Sequence, residues 1–345
     1  MKIVVFGAGS IGVYVGCSLL AAGADVLLLG RARMGERIAR HGVALTDLHG
    51  RRIAFDGARI PYTEDPGRLA EADLILVTVK SADTDTAADA IHAYAKPSAL
   101  VLSLQNGVGN VETLRARLKG LRVAGGMVPF NVVQMEEGRF HRGTEGELMV
   151  EAVPEIGRWQ SIFESARLPL VVREDFAAVQ WGKLLLNLNN PVNALSGLPL
   201  KAELSQRAYR RCLALLMEEA LAVLQAAGIE PAKVARVSPA MLPRILRLPD
   251  WLFKRLAGAM LRIDPEARSS MWEDLQAGRR TEIDYLNGAV VALARASGRA
   301  APANERIVEL IRRAEAGARK DLDGGVMYHL LSTSALANPV TGAKA

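Results

Sequence analysis

The chain has 345 residues, enough for two or three domains of about 100–200 residues each. Half of the residues are hydrophobic and 23% are charged, a composition that excludes a disordered chain, a collagen and a coiled coil. The 43 basic residues exceed the 37 acidic ones, which gives a net charge of +6 and suits an acidic small molecule or a phosphorylated cofactor. The chain has only two cysteines, which excludes a disulfide framework or a metal cluster and indicates a reducing compartment.

The first predicted strand, residues 3–6, leads into a glycine-rich turn. Positions 3–24 carry no charged residue, which makes a signal peptide or a membrane span an alternative. Glycines interrupt this stretch repeatedly, however, and its β-branched start is typical of a strand followed by a turn and a helix. We therefore expect no membrane segment and a cytoplasmic protein.

The turn after this strand carries a GxGxxG motif. The motif opens a predicted helix over residues 11–22 and precedes a second apolar strand at 26–29. In this context the first glycine makes the turn, the second lets the backbone approach a pyrophosphate, and the third lets the helix pack on the strand. The predicted dinucleotide-binding residues are Gly7, Ala8, Gly9, Ser10, Ile11 and Gly12.

The end of the second strand carries arginines where an NAD site usually has an acidic residue. Gly30 is followed by Arg31 and Arg33, with no carboxylate among them. A carboxylate would repel a 2′-phosphate, whereas a guanidinium pairs with it through two hydrogen bonds. We therefore predict NADP as the cofactor and Arg31 as the contact to its 2′-phosphate. A solvated surface arginine is the alternative.

Two later strands, residues 74–79 and 100–104, place further polar residues at their carboxyl ends. Lys80 follows the first of these strands, and Gln105 and Asn106 follow the second. Ligands bind at this edge of a parallel sheet, so Lys80 and Asn106 are candidate contacts to the cofactor or the substrate. A surface lysine and a tight Asn-Gly turn are the alternatives.

The alternation of strands and helices predicts an α/β fold with a doubly wound, Rossmann-type parallel sheet in the first half. We also expect a hairpin within residues 43–55 and closing, antiparallel strands at 123–133 and 147–153. We expect a Rossmann-type NADP-binding domain over residues 1–172 and an all-helical domain over 173–345. The helices of the second domain are predicted over residues 176–188, 207–227, 266–276, 282–296 and 303–318.

The first helix of the second domain carries a polar stripe. At about 100° per residue, Lys183, Asn187 and Asn190 fall on one face of a continuous helix, with Gln180 near it. Burying these groups without partners would be costly, so the stripe is predicted to meet a ligand or a second polar surface. A partly desolvated Lys183 would have a lowered pKa and act as a general acid near neutrality. A solvent-facing stripe is the alternative.

A second polar cluster lies in the later predicted helices. Ser270 and Asp274 are four residues apart and share one helix face. Thr281 and Asp284 are predicted to form an N-terminal cap and its partner, so that Glu282 opens the next helix. Glu282 alone is explained most simply as an acid that complements the helix dipole.

Together these elements resemble the ketopantoate reductase family, the 2-dehydropantoate 2-reductases, over nearly the whole chain. The resemblance is carried by the GxGxxG motif, Gln105-Asn106-Gly107, Trp181-Gly182-Lys183 with its asparagines, Ser269-Ser270-Met271 and Thr281-Glu282-Ile283-Asp284-Tyr285-Leu286-Asn287-Gly288. It implies NADPH-dependent reduction of ketopantoate to D-pantoate in pantothenate biosynthesis. A small 2-oxo acid is then the substrate, and a homodimer is a candidate assembly.

The resemblance also implies roles for the candidate residues. Lys183 would be the general acid that protonates the carbonyl oxygen. Glu282 would hold the substrate hydroxyl, orient Lys183 and contact the cofactor, and Ser270 would bind the substrate carboxylate. The other implied contacts are to the nicotinamide and substrate from Asn106 and Asn187, and to the 2′-phosphate from Arg31 and Lys80.

The chain departs from the family pattern at three places. Pro191 stands where a second substrate asparagine is usual, and Asn190 is assigned in its place, with Asn189 the alternative. Ala267 replaces a further asparagine. Residues 234–263 form a longer, basic and apolar stretch, which we interpret as a packed lid or a structural insert.

Two alternative functions remain open from the sequence. A reductase of a bulkier 2-oxo acid would keep the chemistry and change the substrate. A non-catalytic NADP-sensing protein would need no Lys183, Glu282 or Ser270. Nucleic-acid binding is not expected because the basic residues are dispersed and no binding motif is present.

Overall fold

The structure is a computed structural model that describes residues 1–233, 237–256, 266–318 and 321–336. Contacts within the chain divide it into two compact units, Met1–Phe176 and Ala177–Ala345. The first unit is an α/β domain built on a mainly parallel sheet, and the second is helical. The predicted fold class is therefore confirmed. Within the described ranges, no helix combines the length and the apolar composition that a bilayer crossing requires.

Strands and helices alternate along the first unit. The strands are β1 (Lys2–Phe6), β2 (Asp25–Leu29), β3 (Val43–Asp47), β4 (Arg52–Phe55), β5 (Tyr62–Thr63), β6 (Leu74–Val77), β7 (Leu100–Ser103), β8 (Arg122–Met127), β9 (Val132–Gln134), β10 (Arg139–Arg142), β11 (Leu148–Glu151) and β12 (Leu170–Arg173). The helices are α1 (Ser10–Ala21), α2 (Ala32–His41), α3 (Thr84–Tyr94), α4 (Asn110–Arg117) and α5 (Gln160–Ser165). The main sheet has the order β12-β11-β8-β7-β6-β1-β2-β5.

Apolar side chains cover both faces of the main sheet. The six neighbouring strands from β8 to β5 in that order are parallel, and β11 joins them in the antiparallel sense. Val4 of β1 belongs to the core cluster that includes residues of α3 and α4, whereas Val5 belongs to the cluster that includes α1. Successive residues of a strand point to opposite faces, so helices are needed on both sides.

A smaller sheet has the order β4-β3-β10-β9 and contains the two strands inserted after β2, β3 and β4. The predicted hairpin is confirmed, since β3 and β4 pair in the antiparallel sense. The sequence analysis missed β10 as a separate strand. Among its four residues only Phe140 is buried, so no apolar alternation marks the segment.

The second unit is organised around one long helix. Its described α-helices are α6 (Phe176–Asn187), α7 (Asn189–Ser196), α8 (Leu200–Leu204), α9 (Arg207–Ala226), α10 (Leu242–Leu246), α11 (Asp250–Leu256), α12 (Ser270–Gln276), α13 (Asn287–Ala296), α14 (Pro302–Glu315) and α15 (Gly324–Leu336). The central helix, α9, packs against α7, α8, α10, α13, α14 and α15. Its residues Cys212, Leu216 and Ala220, four apart, are fully buried, as the helical period requires.

The helix predicted over residues 176–188 corresponds to α6, but the expectation that the same helical rotation continues to Asn190 is wrong. α6 ends at Asn187 and α7 begins at Asn189, with Leu188 between them. Pro191 explains the break, because it has no N–H for the carbonyl of Asn187 four residues earlier and its ring crowds that carbonyl. The angular extrapolation from the start of α6 therefore does not reach Asn190.

The sequence analysis also missed α15, although its start carries a recognisable signal. The carboxylate of Asp323 accepts hydrogen bonds from the N–H groups of Gly325 at 2.8 Å and Val326 at 3.3 Å. Such a contact is the usual cap of a helix N-terminus, so an aspartate before an apolar run would have indicated this helix.

The described part of the extra stretch, residues 237–256, is held to α9 by Arg210. This side chain is fully buried, and its guanidinium donates to two main-chain carbonyls of the stretch at 3.1 and 2.7 Å. It also forms an ion pair with Asp250 at 2.9 Å. Residues 234–236 and 257–263, on which the prediction of a lid or insert also falls, lie outside the described residues.

Candidate functional site

The candidate cofactor residues of the first unit lie where its parallel strands end. β1 leads to Gly7, β2 to Arg31, β6 to Lys80 and β7 to Asn106. The carboxyl ends of parallel strands share one edge of the sheet, which is where ligands bind in such folds. The structure therefore brings these predicted residues to a single edge.

The loop between β1 and α1 requires its glycines for different reasons. Gly7 has a φ of 115°, a conformation that other residues rarely adopt. A side chain at Gly12 would collide with the carbonyl oxygen of Gly7 and the hydroxyl of Thr78. At Gly9, in contrast, an added Cβ would meet no atom within 4 Å, so this position opens onto free space.

The N-terminus of α1 is suited to an anion. α1 begins directly after Gly9, with no side-chain cap and no acidic residue in its first turn. The N–H groups of Ser10 and Ile11 therefore have no capping acceptor, and the partial positive charge of the helix end is not neutralised by an acid. Ala8, between the first two glycines, is buried. The open space at Gly9 and the uncapped helix together fit the diphosphate of a dinucleotide.

Arg31, the predicted 2′-phosphate contact, follows β2 at the surface. Its side chain is 85% exposed and donates to the carboxylate of Asp83 at 2.8 Å. Its main-chain carbonyl accepts a hydrogen bond from the hydroxyl of Tyr62 at 2.8 Å, which holds the backbone at this point. Lys80 is exposed and precedes the short 3-10 turn that contains Asp83. The sequence analysis missed Asp83, a carboxylate that competes with a phosphate for Arg31.

Asn106 lies half-buried in the loop after β7, and its main chain is firmly held. Its carbonyl accepts hydrogen bonds from Ser81 Oγ at 3.1 Å and Asn110 Nδ2 at 2.8 Å. Gln105 Nε2 reaches the neighbouring loop and donates to the carbonyl of Val79 at 3.2 Å. The sequence analysis missed this network, which ties together the loops after β6 and β7.

In the second unit, Lys183 lies in the middle of α6 with its side chain only partly exposed. Burial of the ammonium lowers the pKa of Lys183 to about 8, and the carboxylate of Glu282 acts in the opposite direction. The fold therefore brings these two residues, distant in the sequence, close enough for electrostatic interaction. A lysine with this pKa can both hold and release its proton near neutrality.

The candidate asparagines occupy two helices. Asn187 ends α6, one helical turn after Lys183, and is half-buried. Asn190 is half-buried in the first turn of α7, and its main-chain carbonyl accepts a hydrogen bond from Ser269 Oγ at 3.2 Å. Asn189 is buried and donates to the carboxylate of Glu203 at 3.3 Å. Of the two asparagines left open by the sequence, Asn190 is the more exposed.

The two serines before α12 have different environments. Ser270, the candidate carboxylate ligand, is exposed at the start of α12. Ser269 caps this helix, because its Oγ accepts a hydrogen bond from the N–H of Trp272 at 3.2 Å. Asp274 is buried and accepts a hydrogen bond from the guanidinium of Arg279 at 2.9 Å.

The prediction that Glu282 opens a helix, with Thr281 and Asp284 as a capping pair, is wrong. Glu282 precedes a short 3-10 turn, and α13 begins only at Asn287. The hydroxyl of Thr281 does accept a local hydrogen bond from the N–H of Ile283 at 3.3 Å, but Thr281 also donates to Glu315 of α14 through both its N–H and its hydroxyl, each at 2.8 Å. Asp284 accepts a hydrogen bond from a guanidinium of the same helix at 2.6 Å.

Known proteins of similar length resemble this chain. The 2-dehydropantoate 2-reductase of Pyrococcus horikoshii is 30% identical over 332 residues, which are 94% of this chain and 99% of that protein. The crystal structure of a PanE/ApbA family ketopantoate reductase from Ralstonia eutropha JMP134 has a TM-score of 0.78 at 31% identity, over 92% of this chain and 99% of that one. A ternary structure of D-mandelate dehydrogenase with NADH and anilino(oxo)acetate has a TM-score of 0.72 at 21% identity, over 92% and 99% of the two chains, which shows a shared fold alone.

Two sequence profiles account for most of the chain. The profile of ketopantoate reductase PanE/ApbA matches residues 3–155. The profile of its C-terminal domain, ketopantoate reductase PanE/ApbA C terminal, matches residues 175–315. The chain therefore belongs to the ketopantoate reductase family PanE/ApbA and is an oxidoreductase.

Proposed function

We propose that the chain catalyses the NADPH-dependent reduction of 2-dehydropantoate to D-pantoate. The observation that carries the proposal is Lys183, whose pKa is lowered by burial to about 8 beside the carboxylate of Glu282. A lysine of this kind can give up a proton near neutral pH, which the reduction of a carbonyl group needs. The name of the Pyrococcus horikoshii relative supports the choice of substrate.

The first unit supports a nicotinamide dinucleotide as the reductant. When bound, its reduced nicotinamide ring supplies the hydride to the carbonyl carbon. The segment from Gly7 to Gly12 would hold the diphosphate, and Asn106 would contact the nicotinamide. Arg31 and Lys80 would pair with the 2′-phosphate, which favours NADPH over NADH.

The second unit supplies the residues proposed to bind and protonate the oxo acid. Ser270 would bind its carboxylate, and Asn187 and Asn190 would donate to its other oxygens. Glu282 would accept from the substrate hydroxyl, orient the lysine and contact the cofactor. As hydride reaches the carbonyl carbon, negative charge develops on the oxygen, and Lys183 Nζ donates a proton to that oxygen.

Steady-state oxidation of NADPH tests this proposal. The assay compares ketopantoate with a bulkier 2-oxo acid as substrate, and NADPH with NADH as cofactor. We expect efficient turnover of ketopantoate that is selective for NADPH. Better turnover of the bulkier acid would contradict the proposed substrate. Tight NADPH binding without oxidation by any 2-oxo acid would contradict the proposed reaction and favour a sensor.

The bulkier substrate is not the favoured alternative. Ala267 is half-buried three residues before Ser270, and its side chain is smaller than the asparagine of the family pattern. The relative that is 30% identical, however, is named for 2-dehydropantoate, whereas the D-mandelate dehydrogenase is only 21% identical. The homodimer and the cytoplasmic location stay predictions, which analytical ultracentrifugation and cell fractionation would test.

The rate of reduction is expected to fall above about pH 8. Below the pKa of Lys183, which is about 8, the ammonium carries the proton that the carbonyl oxygen receives. Above that pKa the free enzyme loses this proton, so kcat/KM for oxo-acid reduction decreases as the pH rises. The check is the pH profile of kcat/KM for oxo-acid reduction and for hydroxy-acid oxidation. Oxidation of the hydroxy acid needs the neutral amine, so its kcat/KM must rise as the pH rises.

Arg31→Ala is expected to raise the KM for NADPH about tenfold and to leave the KM for NADH unchanged, because one charge-assisted contact to phosphate is lost. The effect stays moderate because the side chain is 85% exposed and already paired with Asp83. Arg33→Ala is the matched control, since Arg33 is an exposed arginine two residues away. Equal losses with both cofactors in Arg31→Ala would refute the 2′-phosphate contact.

A further inference from the structure

The second unit contains a buried carboxyl group that the proposed reaction does not use. Glu203 of α8 is 0% exposed and lies against Asn189 and Asn193 of α7. Both asparagines donate through Nδ2 to the same carboxyl oxygen, Oε2, at 3.3 and 2.8 Å. The other carboxyl oxygen, Oε1, and the amide oxygen of Asn189 are buried and have no hydrogen-bond partner among the described residues.

Two unsatisfied acceptors in one cluster indicate a missing proton. A carboxylate is only an acceptor, whereas a protonated carboxyl group also donates one O–H. In a neutral Glu203, Oε1 carries the proton and can donate it to an acceptor such as the amide oxygen of Asn189. Burial without such a donor is costly for both oxygens.

Glu203 and the carbonyl of Leu198 together determine which way the amide of Asn193 faces. Asn193 Nδ2 donates to Glu203 Oε2 and to the carbonyl of Leu198 at 2.9 Å, so two acceptors lie on its nitrogen side. Its amide oxygen then faces the N–H of Ser269 and accepts from it at 2.9 Å. Rotating the amide would place its oxygen against those acceptors, which is unfavourable.

Ser269 connects this cluster to two of the proposed substrate residues. Its N–H is bound by Asn193, and its Oγ donates to the main-chain carbonyl of Asn190 at 3.2 Å. Ser270 is the next residue in the chain, and Asn190 lies in the first turn of α7. A chain of hydrogen bonds therefore runs from Glu203 through Asn193 and Ser269 to Asn190, and Ser270 follows Ser269 directly in the chain.

We propose that Glu203 is a positioning residue that, as a neutral carboxylic acid, holds Asn193 and Ser269 so that Asn190 and Ser270 are placed for the oxo acid. The proposal rests on the proposed function for the roles of Asn190 and Ser270. Loss of the proton from Glu203 leaves a buried anion whose Oε1 has no hydrogen-bond donor among the described residues, and opening of the cluster relieves that cost. Ser270 and Asn190 then lose their fixed placement, and affinity for the oxo acid falls.

The surroundings of Glu203 favour its neutral form. Burial raises the pKa of Glu203 to about 8, and only the two asparagine amides favour the charged form. The titratable groups that face it are Tyr209 and Cys212 of α9, and Asp323 acts on both of them. Burial raises the pKa of Tyr209 and that of Cys212, the latter to about 12, so neither becomes a cation or an anion near neutral pH.

Infrared spectroscopy tests the protonation state directly in the full-length protein. We expect the C=O stretch of a neutral carboxylic acid at about pH 6, its loss at about pH 10, and its absence from Glu203→Gln at both. The matched control is Glu219→Gln, because Glu219 is a half-buried carboxyl group whose hydrogen bonds hold α14 instead. A spectrum of Glu203→Gln with the same carboxylic acid band as the parent would overturn the proposal.

Substrate affinity tests the positioning role. In the parent, we expect the KM for the oxo acid to rise about tenfold between about pH 6 and pH 10 through loss of this network. In Glu203→Gln, whose amide cannot ionise, this rise in KM is expected to be reduced. The kcat of this variant is expected to change with pH as it does in the parent. Lys183 titrates in both proteins, so the difference between them isolates Glu203. Identical KM profiles for the parent and Glu203→Gln would refute the positioning role.

Amide hydrogen exchange separates this inference from the proposed function. Glu203→Ala is expected to speed exchange at the N–H of Ser269 relative to the parent at the same pH, and Glu219→Ala is not. This measurement needs no turnover, so it stands even if ketopantoate is not the substrate. Unchanged exchange at Ser269 in a folded Glu203→Ala protein would overturn the proposed connection.

Discussion

Lys183→Ala is expected to lower kcat for oxo-acid reduction about 10²–10⁴-fold, the usual contribution of a positioned general acid. The reason is that the developing charge on the carbonyl oxygen is then met by no proton donor of suitable pKa. NADPH affinity is expected to stay near that of the parent, because the predicted diphosphate and 2′-phosphate contacts lie in the first unit. Stopped-flow measurement of hydride transfer, with fluorescence titration of NADPH, checks both parts.

Lys183→Arg distinguishes proton donation from simple charge stabilisation. The guanidinium keeps the positive charge but does not give up its proton at accessible pH. We therefore expect kcat to stay low in this variant, and the fall in rate above about pH 8 to disappear. Lys201→Ala, which removes an exposed lysine from α8, is the matched control. A parent-like kcat in Lys183→Ala would show that another group supplies the proton.

Gly9→Val is expected to weaken NADPH binding at least about 100-fold, or about 2.7 kcal/mol, without a loss of stability of the free protein. The position has an extended backbone, with φ −84° and ψ −168°, which a β-branched residue adopts readily. An added Cβ meets no protein atom within 4 Å, so the side chain occupies only the space that fits the diphosphate. Calorimetric titration of NADPH and thermal unfolding of the free protein measure the two effects separately.

Two further glycine variants serve as controls for this result. Gly157→Val also adds a side chain where nothing lies within 4 Å, but away from the predicted cofactor loop, and should leave NADPH affinity unchanged. Gly12→Ala should instead lower the unfolding temperature, because its Cβ collides with the carbonyl of Gly7. Normal NADPH affinity in Gly9→Val would place the diphosphate elsewhere.

Much of the fold was predictable because its signals are local. Buried parallel strands appear as continuous apolar runs, and β1, β2, β6 and β7 could be located from them. The GxGxxG segment was recognisable because tight turns and close packing admit only glycine at particular positions. Gly7, with its φ of 115°, and Gly12, packed on Gly7, have the environments that this reasoning requires.

Polar residues whose partners are distant in the chain could not be interpreted from local patterns. Thr281 and Asp284 have the spacing of a capping pair, but only a short 3-10 turn follows Glu282, and Glu315 and Arg312 of α14 bind the two residues. The pairing of Asp83 with Arg31 was not predicted, because the two residues are far apart in the sequence and only the sheet brings them together. Long-range contacts outweigh local propensity whenever they satisfy the same polar groups.

The sequence by itself determined the division into an α/β part and a helical part, the glycine loop and the candidate residues. These features depend on local periodicity and residue type. The tertiary structure alone decided that Lys183 is desolvated near Glu282. It also decided that Glu203 is fully buried against the amides of Asn189 and Asn193. Burial and pKa depend on what surrounds a group in space, and that is set by helices from distant parts of the chain.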